Sequence, residues 1–312
     1  MKGLELSKQF YEEYGVPMLS EFAEVAPKIA VALAGSGSEC FGYDDAQSQD
    51  HDFEPGFCLF LPDEDTVDRR TAFLLERAYA KLPREFMGYT RQPLSPVGGN
   101  RHGVIRLGEF LTEKTGCADG ILTTDEWFMV PEQSLAEVTN GLVFRDDSDL
   151  FGAVRRRLAY LPSDVRKKKL AGHLLLMGQA GQYNFPRLIG RGDTAAAQLA
   201  VYEFVKSALH AVFLLNGAYL PYYKWQFRAL RDLPHLTNLA DPLAQLMCTD
   251  NGTENAKMKS DIIEEMAAAI IGAMQERGLT NFGGTELEGH AYAVNDTVED
   301  GNLRNQHILY GV

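Results

Sequence analysis

Two kinds of patterning divide the chain: short apolar runs bounded by turn residues in the first half, and 3.6-residue periodicity in the second. Residues 29–34 (IAVALA) and 57–61 (FCLFL) are apolar runs bounded by glycine and proline, the signature of strands buried on both faces. A further strand is expected at residues 102–107, and a short extended piece within residues 140–147. Residues 1–28 read as a helical lead-in, with Leu4, Phe10, Tyr11, Tyr14, Val16 and Leu19 at helical spacing and an interruption at Gly15 or Pro17. Residues 67–82 spell an amphipathic helix with Phe73, Leu74, Ala78 and Leu82 inward. Residues 84–100 are rich in proline and glycine and predict a loop. Helices follow at 109–115 and 131–139, the second with Leu135 and Val138 inward. Between them, residues 124–130 predict a strand or short connector, with Trp127 in the core.

Beyond a boundary at residue 150 the periodicity is helical throughout. Helices are expected at 150–161, 165–183, 194–216, 240–248 and 255–277, followed by a tail. Leu199, Tyr202, Val205, Leu209, Val212 and Phe213 give the third its inward stripe. Asp193 is its N-cap and Gly217 its left-handed terminator. Pro162-Ser163-Asp164 carries an N-cap signal for the second, whose opening Arg166, Lys167, Lys168 and Lys169 read as a solvated face. The predicted fold class is α+β: a domain over residues 1–150 with a mixed sheet and flanking helices, then an all-α helical bundle over 151–312.

Composition narrows the function. A chain of 312 residues suits one large or two medium domains. The net charge of −13 argues against broad nucleic-acid binding, which needs a basic surface. Cys40, Cys58, Cys117 and Cys248 are scattered, without Cys-x-x-Cys or metal-ligand spacing, and read as reduced thiols. The first twenty residues carry Glu5, Glu12 and Glu13, so no secretory signal is expected, and no run reads as a membrane span. The expected location is cytoplasmic.

The candidate chemistry lies between the first two strands. The run at 29–34 ends in Gly35-Ser36-Gly37-Ser38, and Asp50-His51-Asp52 follows before the second run. Glycines let a chain approach a phosphate closely. Asp50 and Asp52 are two apart, so on an extended segment their carboxylates leave one face and repel. A divalent cation resolves that repulsion, and hard Mg²⁺ favours oxygen ligands and phosphates. The residues alone therefore predict a metal–nucleotide site, with His51 facing the opposite side.

This arrangement resembles the polymerase-beta-type nucleotidyltransferase superfamily. The longer phrase Gly35-Ser36-Gly37-Ser38-Glu39, Gly42-Tyr43-Asp44-Asp45 and Ser48-Gln49-Asp50-His51-Asp52 is similar to a bacterial family of uncharacterised nucleotidyltransferase-like proteins. The resemblance implies transfer of a nucleoside monophosphate from an NTP, ATP first, to an acceptor, with release of pyrophosphate. Gly35, Ser36, Gly37 and Ser38 would bind the phosphates, and Asp50 and Asp52 would hold Mg²⁺, or alternatively Mn²⁺. It also implies a third carboxylate as general base near Ile105. The sequence there is Gly103-Val104-Ile105-Arg106-Leu107, so Glu109 becomes the candidate base, with Asp119 and Asp125 behind it. Arg187 and Arg191, beside Asn184-Phe185-Pro186 in a loop between helices, and Lys224 in Tyr222-Tyr223-Lys224-Trp225, could pin the triphosphate. The expected partners are a nucleotide and an acceptor (small molecule, protein or RNA group), with no membrane and with homodimerisation left open. The alternative is a nucleotide-binding regulatory or sensor protein with little or no turnover, supported by the absent acid at Ile105.

Overall fold

Four short segments form one mixed sheet: β1 (Ala30–Leu33), β2 (Cys58–Leu61), β5 (Gly103–Arg106) and β6 (Leu142–Arg145), in the order β5-β2-β1-β6. The computed structural model describes residues 1–47, 53–91 and 101–312. Asp50, His51 and Asp52 lie outside the described residues, as do residues 92–100. Two units divide the chain, Met1–Thr123 with Val130–Ala159 and Thr124–Met129 with Tyr160–Val312. The helix Leu150–Arg157 thus counts with the first unit and Thr124–Met129 with the second.

In the first unit β1 runs antiparallel to both neighbours, Ala32 facing Cys58 on one side and Leu33 facing Leu142 on the other. Strands β2 and β5 are parallel, Phe60 opposite Ile105. Every residue of β1 and β2 is buried, which explains why their sequences are unbroken apolar runs. On one face Val31, Leu59 and Leu61 meet Leu6, Phe10, Leu75 and Tyr79 from the lead-in and the helix Arg69–Ala80. On the other, Phe60 packs at 5.1 Å from Phe110 and 4.5 Å from Phe151, ring centre to ring centre. The lead-in is helical from Gly3 to Ser20 through a π-turn at Tyr11–Gly15, so Gly15 and Pro17 do not interrupt it.

Two further expectations fail in this unit. A small hairpin, β3 (Glu85–Phe86) with β4 (Tyr89–Thr90), stands where only loop was expected. Phe73 and Leu74 are exposed, and the helix Arg69–Ala80 turns Leu75 and Tyr79 inward instead. Tyr79 fixes that rotation: its hydroxyl donates to the Phe57 carbonyl at 2.9 Å and accepts the Phe57 N–H at 3.0 Å.

The second unit is helical. Its long helices Ser163–Met177, Thr194–Asn216 and Thr253–Glu276 are accompanied by shorter ones. Asp193 caps the second, accepting the Ala196 N–H at 3.0 Å, and Gly217 ends it at φ +64°. Its apolar stripe differs from expectation, because Leu199 and Tyr202 are exposed while Val201, Phe204, Ala208 and Val212 are buried. Among the described residues this helix is long and apolar enough to cross a membrane, against the expectation of no such run, yet 61% of its apolar window is buried. Core helices meet the same test.

Four further corrections concern this unit. Residues 124–129 are a helix, with Trp127 buried as expected. Asn184 to Arg187 are not a loop: a π-turn at Gly178–Asn184 runs into the helix Phe185–Gly190, with Pro186 in its first turn, where a missing N–H is tolerated. Asp164 does not cap its own helix; its carboxylate accepts the N–H groups of Glu299 and Asp300, at 3.0 and 2.8 Å. Lys168 and Lys169 are buried, not solvated. Lys168 donates to Asn295 Oδ1 at 2.8 Å and to the Gln306 carbonyl at 2.7 Å. Those partners belong to the expected tail, which contains the helices Leu287–Asp296 and Gly301–Asn305, the first burying Leu287, His290, Ala291 and Val294.

Candidate functional site

Strand direction gathers the polar groups of the first unit at one end of its sheet. There β1 leaves as residues 35–38, while β2, β5 and β6 begin. Gly35 and Gly37 stand at φ +122° and +134°, which glycine alone reaches without strain. Asn140 clamps the turn: its Oδ1 accepts the Gly35 N–H at 3.0 Å and its Nδ2 donates to the Gly35 carbonyl at 2.8 Å. Gly141 follows at φ +67°, donating its N–H to the Cys40 carbonyl at 2.9 Å. A methyl group on Gly141 would lie 1.9 Å from the Leu33 carbonyl oxygen. Ser36, Gly37 and Ser38 are half-buried and so reachable from solvent.

Carboxylates line this end. Glu39 is buried, and its side chain fills the space a Cβ on Gly37 would need, within 2.4 Å. Burial raises its pKa above the usual carboxylate range, and its own backbone N–H, His102 and Arg101 offset part of the rise. Asp44, also buried, accepts the Gly3 N–H at 3.0 Å and pairs with Lys2 at 3.6 Å. Glu54 Oε1 stands 3.0 Å from His102 Nδ1 at the head of β5. Cys58 is buried here too, and burial pushes its thiol up to about 12, which keeps it protonated and unreactive at neutral pH. Burial also holds the Cys40 thiol well above its ordinary value.

The expected site residues fall in several places. Gly35, Ser36, Gly37 and Ser38 form the turn. Glu109 is exposed in the first turn of the helix Leu107–Thr115, which β5 enters from its far end. Arg187, Arg191 and Lys224 belong to the second unit. Arg187 is exposed and stacks on Tyr183, its Cζ 3.7 Å from the ring centre, while its Nη1 bonds the Tyr183 hydroxyl. Lys224 lies 5.0 Å above the ring of Trp225, and Tyr222 and Tyr223 beside it are exposed. A shallow pocket in this unit is lined by Tyr160, Arg166, Leu214, Gly217 and Tyr219, and includes none of the three expected cations. Among the described residues no group of three or more His, Cys, Asp and Glu is arranged to hold a metal ion.

Glu39, Glu54, His102 and Asn140 were not singled out by spacing. One signal exists for Glu54, because Asp50-x-Asp52-x-Glu54 continues the alternation by one step. His102 has none, since its partner lies 48 residues away.

A family model described as a domain of unknown function (DUF4037) matches residues 127–226. The match takes in β6, the helices Leu150–Arg157, Ser163–Met177 and Thr194–Asn216, and Arg187, Arg191 and Lys224. It does not reach the glycine–serine turn. No curated protein matches the chain, and no solved structure matches it.

Proposed function

We propose that the protein is a metal-dependent nucleotidyltransferase that moves a nucleoside monophosphate from an NTP, ATP first, to an acceptor hydroxyl or similar group and releases pyrophosphate. The observation that carries this reading is the turn after β1. Two positive-φ glycines at the end of a buried strand open a turn whose Ser36, Gly37 and Ser38 are only half-buried, and such a turn offers a polyphosphate backbone N–H groups and hydroxyls. In the sequence Asp50 and Asp52 come just before Glu54, and two carboxylates are the hard oxygen donors that Mg²⁺ prefers. Bound there, the cation would neutralise charge developing on the phosphates. The acidic chain favours a cationic or small acceptor over RNA, and the four free cysteines suit a cytoplasmic protein.

Ile105 favours a second reading, that of a nucleotide-binding sensor. It pairs with Phe60 in β5, where the resemblance implies a carboxylate. Thermal melting separates both readings from neither. With each of four NTPs, with and without Mg²⁺, a ligand at 100 times its Kd adds about 2.7 kcal/mol. A Mg²⁺-dependent rise for at least one NTP, lost in Asp50→Asn/Asp52→Asn, is expected. Pyrophosphate release then decides between enzyme and sensor, and no rise with any NTP overturns both.

A further inference from the structure

His102 sets an imidazole at the turn's end of the sheet, at the head of β5, and its setting is that of a proton acceptor. Its side chain is 7% exposed. Glu54 at 3.0 Å takes the hydrogen of Nδ1, so the lone pair of the neutral ring falls on Nε2. Nε2 is buried and has no hydrogen-bond partner among the described residues. A buried polar atom without a partner costs stability, and natural folds rarely keep one without a use. The ring also fits its place closely: a Cβ on Gly56 would come within 2.8 Å of it, so a glycine is required there.

The register fixes where this ring stands. His102 precedes Gly103, which faces Cys58, which faces Ala32 just before the glycine–serine turn. Two strand spacings therefore separate the head of β5 from the end of β1, about 10 Å. Glu39 is buried at this end of the sheet, close enough for its carboxylate to interact electrostatically with His102.

Resting on the nucleotidyl-transfer reading above, we propose that His102, oriented by Glu54, is the general base that takes the acceptor's proton, the role left open by Ile105. As the acceptor oxygen bonds to the α-phosphorus, its proton passes to Nε2. The bond from that phosphorus to the bridging oxygen breaks, and pyrophosphate leaves with the electron pair. The imidazolium then returns its proton to solvent. Glu54 is a positioning residue that selects the tautomer.

The test uses the full chain, ATP with Mg²⁺, and water as the acceptor, reading pyrophosphate release alongside the ATP-dependent melting shift. His102→Gln is expected to keep the melting shift and to lose 10²–10⁴-fold in release, the usual contribution of a general base. Added imidazole should restore part of the release in His102→Ala, which a purely structural role would not allow. Unchanged release in His102→Gln, or a folded, ATP-binding His102→Ala that imidazole does not rescue, overturns the assignment and leaves the transfer reading standing. No release by the wild-type protein overturns both. Should the variants fail to fold, histidine ¹⁵N spectra of the wild-type protein decide: an unprotonated Nε2 beside Nδ1–H supports the assignment, and Nε2–H overturns it.

Discussion

The two places where polar side chains were expected to meet a nucleotide are built on opposite principles. At the end of the first unit's sheet, Glu39, Asp44, His102 and Asn140 are buried or half-buried, and several are tied to backbone far away in sequence: Asn140 to Gly35, Asp44 to Gly3. In the second unit, Arg187 and Lys224 lie on the surface, each held by a neighbouring ring, Tyr183 or Trp225. Groups of the first kind have met their ordering cost during folding. Groups of the second kind still carry up to about 2 kcal/mol of rotamer entropy each, to be surrendered when a ligand arrives. The contrast makes the sheet end of the first unit preorganised and the surface cations of the second unit adjustable.

Gly141→Ala should break that contrast most severely. The new Cβ would meet the rigid Leu33 carbonyl, and the position requires φ +67°. A loss of about 3–4 kcal/mol is expected, read as a lowered urea midpoint and faster amide exchange in β1. Exchange in β1 at the wild-type rate would show that the turn is not locked to the sheet as described.

Asn140→Ala comes next. It removes both bonds to Gly35 and leaves a partly buried N–H and carbonyl unmet, at about 1–3 kcal/mol. Asn140→Asp keeps the acceptor for the Gly35 N–H but sets a carboxylate oxygen against the Gly35 carbonyl, so it should be destabilising as well. If both variants melt like the wild type, the clamp does not hold the turn.

What the sequence reveals follows the same division. β1 and β2 are legible because burial on both faces leaves only apolar residues. The glycine–serine turn is legible because positive φ demands glycine. Lys168 is not, because its partners Asn295 and Gln306 are more than 120 residues away and a run of Arg166 to Lys169 looks like any solvated face. The helix Leu287–Asp296 hides for a different reason: Leu287, Ala291 and Val294 are a thin apolar stripe, and buried His290 spends its ring on Thr280 and the Gly284 carbonyl. Phe73 and Leu74 mislead because rotation of their helix is set by a hydroxyl on Tyr79, not by apolar count. The Glu54–His102 pair is a tertiary contact, with half a signal in the alternation that ends at Glu54.

Acid should push the two units in opposite directions. In the second unit, burial holds His173 well below its ordinary pKa, helped by the electrostatic influence of the neighbouring His210, Lys169 and Lys206. Its ring lies parallel to that of His210, 4.3 Å away. A folded pKa below the unfolded value of about 6.5 means that the unfolded chain binds the proton first. His173 therefore costs nothing above that pH and erodes stability as pH falls below it, by at most about 1.4 kcal/mol per pH unit. Glu39 has the reverse sign. Its raised pKa makes its contribution full below about 4.5 and lost as pH rises through the folded value. His173→Gln should flatten the acid limb of the second unit's melting, followed by the fluorescence of Trp127 and Trp225. Glu39→Gln should raise the stability of the first unit near neutral pH, followed by amide exchange in β1. An acid limb unchanged in His173→Gln would remove the imidazole from the account.

Arg187→Ala and Lys224→Ala carry the smallest expected effect on folding and the sharpest use. Both side chains are exposed, and a cation over an exposed ring is worth roughly 0.5–1 kcal/mol, so each substitution should move the melting midpoint little. Their effect on the ATP-dependent melting shift is then free of any folding contribution. If these cations reach the triphosphate, each loss should weaken ATP binding about tenfold, near 1.4 kcal/mol, and the weakening should shrink as salt is raised, because screening acts most on exposed charges. If ATP binding is untouched while Asp50→Asn/Asp52→Asn abolishes it, the nucleotide is held by the sheet end alone. Arg187 and Lys224 would then be ordinary surface cations, each resting on its neighbouring ring, and the preorganised half of the comparison would account for all of the binding.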